Sequence, residues 1–139
     1  MDLNDFDRRT QLAIGIIQRC LAGEGVELRQ KTLRRYEPSL HRCHDNAREC
    51  VEKYPELTHV RGFLVANRQP VADTTLVIAH SAVGASDGSL NDITPSELDV
   101  RYPFVPHTGS LEDFELIAAS EPFMVEIPNA LLRQLSIIG

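Results

Sequence analysis

Apolar positions in this chain recur with two different periods, and the alternation between them predicts the architecture. From residue 5 to 22 the period is helical: Leu12, Ile16 and Cys20 return every four residues, with Phe6, Ala13, Ile17 and Leu21 widening the stripe. Asn4 or Asp5 is placed to cap the start, and Gly23 and Gly25 to stop it. Residues 26–38 hold only Val26, Leu28 and Leu33 as apolar anchors and read as a connecting loop with at most a helical turn. After the break at Pro38-Ser39, a second helix is predicted over 40–54. Cys43, Ala47, Cys50, Val51 and Tyr54 share one face of it. Arg42, Asp45, Arg48, Glu49, Glu52 and Lys53 fall mostly on the other, and Pro55 ends it.

The period then shortens. Strands are predicted over 58–66, 74–83 and 89–94, the last returning after the turn signal Ser86-Asp87-Gly88. A fourth strand, 101–106, is confined to an edge by Pro103 and Pro106. A helix over 110–120 begins at Ser110, with Asp113 in the capping-box position and Phe114, Ile117 and Ala118 inward. A strand at 122–127 and a helix at 129–136, bearing Leu131, Leu132 and Leu135, close the chain. The order of elements predicts an α+β fold, a small antiparallel sheet packed against helices. One domain is expected over 1–139: an N-terminal helix 5–22, a core 40–106, and a helical and strand closure 110–136.

The hairpin carries a register argument. Facing residues of an antiparallel pair lie on one side of the sheet, and sides alternate along each strand. A two-residue loop at Asp87-Gly88 would put His80 and Asp92 on opposite sides. The three-residue loop Ser86-Asp87-Gly88 places His80 opposite Thr94 and Ala82 opposite Asp92, making His80 and Asp92 diagonal neighbours on one side. That loop wants a left-handed residue at its third position, where Gly88 falls.

Composition narrows the setting. The 42% hydrophobic and 24% charged fractions are those of a soluble globular chain. The net charge of −6, with no basic block, argues against nucleic acid and against an anionic membrane surface as partners. Arg8-Arg9 and Arg34-Arg35 read as solvated faces. No apolar run reaches the ~18 residues of a membrane span. The acidic start, with its broken apolar run, does not read as a signal peptide. Three cysteines, an odd count, read as free thiols in a reducing cytoplasm, so a cytoplasmic location is expected.

Candidate chemistry centres on Cys43, His80 and Asp92. A thiol attacks a carbonyl only as thiolate, and a free cysteine is mostly protonated at neutral pH. The positive end of a helix and an imidazolium partner both favour the thiolate. Cys43 near its helix start and His80 on a strand supply these, and Asp92 would orient the imidazole. Asn46, Ser81 and Thr94 are supporting candidates, and the Cys43 backbone N–H is a candidate oxyanion donor. Gly62 marks either a close approach to the catalytic helix or a bulge. Arg101, Tyr102 and Phe104 are placed to line a cleft.

Cys43-x-x-Asn46-Ala47 at a helix start, Gly62-Phe63-Leu64-Val65 on a strand, His80-Ser81-x-Val83 on the next, and Asp87-Gly88-x-Leu90-x-Asp92-Ile93-Thr94-Pro95 after it resemble papain-fold thiol enzymes. The transglutaminase-like branch, with its bacterial hydrolase and amidase relatives, is the nearest in pattern. The resemblance spans residues 43–95 and implies Cys43 as nucleophile, His80 as base and Asp92 as orienter. It implies a cysteine-dependent hydrolase or acyl transferase acting on a protein, peptide or small amide substrate, without cofactor or metal. The chain departs from the pattern in having no Trp after Cys43 or His80 and no obvious upstream Gln.

Other readings stay open. Cys20 and Cys50 lie on apolar stripes and read as core. His59 and His107 show no partner in sequence. His41, Cys43, His44 and Cys50 could be read as a metal site, but on a regular helix the two histidines point away from the face that the cysteines share. A catalytically degenerate interaction module on the same fold is the remaining alternative.

Overall fold

The computed structural model describes residues 2–30, 42–94, 102–119 and 123–139. Leu33, Arg34-Arg35, Pro38-Ser39, His41, Pro95 and Arg101 lie outside them, as do the first residues of the helix read at 40–54 and of the strands read at 101–106 and 122–127.

The first helix, α1 (Arg8–Arg19), starts later than the apolar stripe suggests. Asp5 does not cap it, because Asp2 and Asp5 close a separate one-turn 3-10 helix over Leu3–Asp5. Asp7 caps α1 instead, its carboxylate accepting from the Thr10 N–H. The helix ends in a π turn, Cys20–Glu24, whose Gly23 sits at φ 92°, a conformation that glycine adopts without the Cβ clash.

Next come β1 (Arg29–Gln30), α2 (Cys43–Lys53), β2 (Thr58–Asn67), β3 (Thr74–Gly84), β4 (Leu90–Asp92) and β5 (Phe104–Pro106). Then follow α3 (Leu111–Ala118), β6 (Met124–Pro128) and α4 (Asn129–Gln134). Ser110 caps α3 by accepting from the Asp113 N–H, as its sequence predicts.

The sheet has six strands in the order β1-β4-β3-β2-β5, with β6 also paired to β3. It is mixed rather than purely antiparallel, because β1 pairs parallel to β4, Arg29 facing Asn91 and Gln30 facing Asp92. Two residues are too few for a period of two to show, so this strand was hidden in the segment read as loop. The Gln30 side chain fastens it, donating to the Asp92 and Thr94 carbonyls at 3.1 Å each. The chain through β5 takes the outer position that Pro103 and Pro106 require.

Helices cover one face. Ala13, Ile14, Ile16 and Ile17 of α1, Phe114 and Ile117 of α3 and Leu132 of α4 bury Phe63, Val65, Val77, Ala79, Val125 and Ile127. Further along that face, Ala47 and Cys50 of α2 pack on Val83 and Ile93. The opposite face carries a smaller cluster of Leu28, Ala82 and Phe104. Among the described residues no helix is long and apolar enough to cross a membrane.

Candidate active site

Two strands place the dyad. Val83 faces Asn91 and Gly84 faces Leu90, the register of a three-residue loop. Ala85 and Ser89 close that loop through Ala85 N–H to Ser89 O at 2.9 Å, and Gly88 sits at φ 86°. His80 and Asp92 therefore share a face, and His80 Nε2 lies 3.1 Å from Asp92 Oδ2. The other carboxylate oxygen, Oδ1, accepts the Thr94 N–H at 3.0 Å. Thr94 in turn receives the Asn46 side-chain amide at 3.1 Å on its hydroxyl, and Asn46 is 2% exposed. That bond ties the second turn of α2 to the end of β4.

Cys43 is the first residue of α2 and is partly buried. It reaches His80 where β3 has a vacant edge among the described residues. β2 fills one edge of β3 along its whole length. On the other, β4 pairs only with Val83 and Gly84, and β6 only with Thr74 to Ile78. The start of α2 meets β3 between them.

Burial opposes ionisation of the Cys43 thiol, but the nearby His44 and His80 imidazoles outweigh it and hold its pKa down at about 6. Burial alone would lower the His80 pKa. Hydrogen bonding and charge from Asp92 and Cys43 push it up instead, to about 9. Between those two values the site holds a thiolate beside an imidazolium. The first-turn position of the sulfur, at the positive end of the helix, favours the same state.

The wall behind His80 is Phe104, fully buried and edge-on to the imidazole at 6.1 Å between ring centres. Gly62 makes room for it. Gly62 faces His80 across β2 and β3, and a Cβ there would overlap the Phe104 ring and lie 2.5 Å from the Val105 carbonyl oxygen. The close approach at Gly62 is thus to β5, not to α2. Gly62→Ala is expected to destabilise the protein by about 1–3 kcal/mol in urea unfolding, through overpacking. Of the other residues expected to line a cleft, Tyr102 is partly buried.

Ser81 lies on the face opposite His80, joined to two histidines that showed no such partner in the sequence. Its Oγ is 2.6 Å from His44 Nδ1 and 2.8 Å from His59 Nε2. His59 belongs on this face because Arg61, two residues on, pairs with Ser81. The sequence signal for His44 was its adjacency to Cys43; its partners emerge only once α2 is laid on the sheet. Cys50 is fully buried, and Cys20 packs at the edge of the main core. Among the described residues no group of three or more His, Cys, Asp or Glu side chains is arranged to hold a metal ion. A surface cleft of about 520 Å³, lined by Asp2, Leu3, Asp5, Gln18, Leu135 and Ile137, includes none of the site residues.

No family model matches the sequence, and no curated protein or solved structure matches it. What the fold and the site define is an α+β protein with a mixed sheet and a thiol, an imidazole and a carboxylate in a row. The functional reading rests on that geometry.

Proposed function

We propose that this chain is a cysteine-dependent hydrolase or acyl transferase acting on an amide or peptide-like carbonyl. Cys43 is the nucleophile, His80 the acid–base group and Asp92 its orienting carboxylate. One observation carries the reading above all: a buried imidazole bonded to a carboxylate on one side and set against a first-turn thiol on the other. The order of these groups, on a helix, a strand and the next strand, supports it through the papain-fold and transglutaminase-like resemblance.

The chemistry follows from the resting charges. The thiolate forms a bond to the carbonyl carbon, and the C=O electron pair moves to oxygen, where the Cys43 N–H is the candidate donor. As the pair returns, the C–N bond breaks and the imidazolium gives its proton to the leaving amine. A thioester remains. The now neutral imidazole takes a proton from water as that water attacks, and the acid and thiolate are released. An amine in place of water completes a transfer instead.

The test uses a nitrophenyl acetate ester as a minimal acyl donor. The wild-type chain should release one equivalent of nitrophenol in a burst and carry the acetyl group on Cys43, located by peptide mass spectrometry. Cys43→Ala should show neither. A wild type with no burst and no acetyl-Cys43 would sink the enzymatic reading and leave an interaction module on the same fold.

A further inference from the structure

Cys43 and His44 are consecutive residues in the first turn of α2, and they reach consecutive residues of β3 that face opposite ways. Cys43 meets His80 on one side of the sheet. His44 meets Ser81 on the other, at 2.6 Å. Ser81 is 1% exposed and is held in turn by His59 Nε2 at 2.8 Å. The His44 ring also stands edge-on to Phe114 of α3, 5.6 Å between centres. It is fixed by a strand and a helix, yet its Nε2 is buried with no hydrogen-bond partner. A buried polar atom left unpaired costs stability and calls for an explanation.

Ser81 has one hydroxyl proton and two imidazole neighbours. Burial, with the charges of Arg61, His44 and Arg48, holds the His59 pKa down at about 4, so His59 is neutral at pH 7. A neutral His59 can accept from the Ser81 hydroxyl, whose oxygen then accepts from His44 Nδ1–H. Nε2 is left as the uncommitted nitrogen of a ring whose neighbour in the chain is the site thiol.

We propose that His44 is a second positioning histidine for the Cys43 thiolate, clamped from the far face of the sheet by Ser81 and His59. The clamp pins the first turn of α2 against β3, which keeps the sulfur in line with His80. It also keeps a second imidazole in the residue next to the sulfur, so that ionisation does not depend on His80 alone. The lowering of the Cys43 pKa by both rings agrees with this. The inference rests on the proposed function only in taking Cys43 as the nucleophile.

The experiment is the pH profile of Cys43 alkylation by iodoacetamide in the full chain, with the acyl burst and the melting temperature measured alongside. His44→Ala should raise the alkylation midpoint by about one unit or more, the size of effect a neighbouring charge exerts. Ser81→Ala should raise it by less, in the same direction. His44→Gln should restore the melting temperature lost in His44→Ala but only the smaller, clamp-dependent part of the midpoint, since an amide can bond Ser81 but cannot act as an imidazole. Loss of melting temperature with unchanged midpoints would overturn the proposal. If His44→Ala does not fold, Ser81→Ala decides, and an unmoved midpoint there overturns it equally. A midpoint that His44→Ala shifts, in a protein giving no acyl burst, supports this inference and removes the hydrolase reading.

Discussion

At pH 6, iodoacetamide should alkylate Cys43 roughly 25-fold faster than an unperturbed thiol, and at pH 7 only about fivefold faster. The contrast follows from two opposing effects. A thiol with its pKa at about 6 is half ionised at pH 6, where one at the ordinary 9.0 is ionised to roughly one part in a thousand. A weaker base is also a weaker nucleophile, which takes back about twentyfold across three units. Cys20 should lag further, since burial raises its pKa, and Cys50 further still, since it is fully enclosed. His80→Ala should move the Cys43 midpoint up by at least about one unit. Equal labelling of the three cysteines in the native protein at pH 6 would be incompatible with the ionised thiol.

The same pair has an unusual consequence for stability. The raised pKa of His80 contributes stability that is fully present below its unfolded value of 6.5 and lost as pH rises through about 9. The lowered pKa of Cys43 contributes stability present above 9.0 and lost as pH falls through about 6. Across the shared window the two slopes oppose each other. Folding moves a proton from sulfur to imidazole without net uptake or release. Urea unfolding should therefore show no pH slope from this pair between about pH 6.5 and 9, while at pH 7 thiolate ultraviolet absorbance is present in the folded protein and nearly absent from the unfolded one.

Asp92→Asn should reduce the rate of Cys43 acylation by up to about 10⁴-fold, the cost of replacing the orienting carboxylate of a serine triad by its amide. Both carboxylate oxygens are committed. Oδ2 faces His80 Nε2 and Oδ1 accepts the Thr94 N–H. An asparagine has one oxygen and one amide nitrogen, so one of these two donors must face another donor. If the oxygen stays with Thr94, the imidazole loses its acceptor. If it turns to His80, the turn at Thr94 loosens, and with it the Asn46 tie to α2. In either arrangement the imidazole loses a negative charge, so the alkaline limit of the rate profile should also fall below about 9. Acylation of Asp92→Asn at the wild-type rate, with an unmoved alkaline limit, would mean that Asp92 only closes a turn.

Much of the site was legible because it is local. The spacing from Ser86 to Gly88 dictates the register, since Gly88 alone fits a left-handed third loop position, and the register brings His80 and Asp92 to one face. The inward stripe of the second helix predicts that Cys50 is buried and that Cys43 lies near the helix start. The row from His44 through Ser81 to His59 was not legible. Its members come from a helix and two strands, and no spacing in the chain states which strand residues lie beneath that helix. The one parallel strand escaped for a different reason, being too short for alternation to show.

The sequence by itself determined the elements, the turn chemistry and the alternation of faces, because each depends on neighbours a few positions apart. Only the tertiary structure decided that α2 begins beside β3 between the stretches that β4 and β6 pair, where consecutive residues Cys43 and His44 meet opposite faces of the sheet. That placement comes from burial of Ala47 and Cys50 against Val83 and Ile93. Such apolar burial is non-directional, so a list of apolar positions does not specify which surfaces meet.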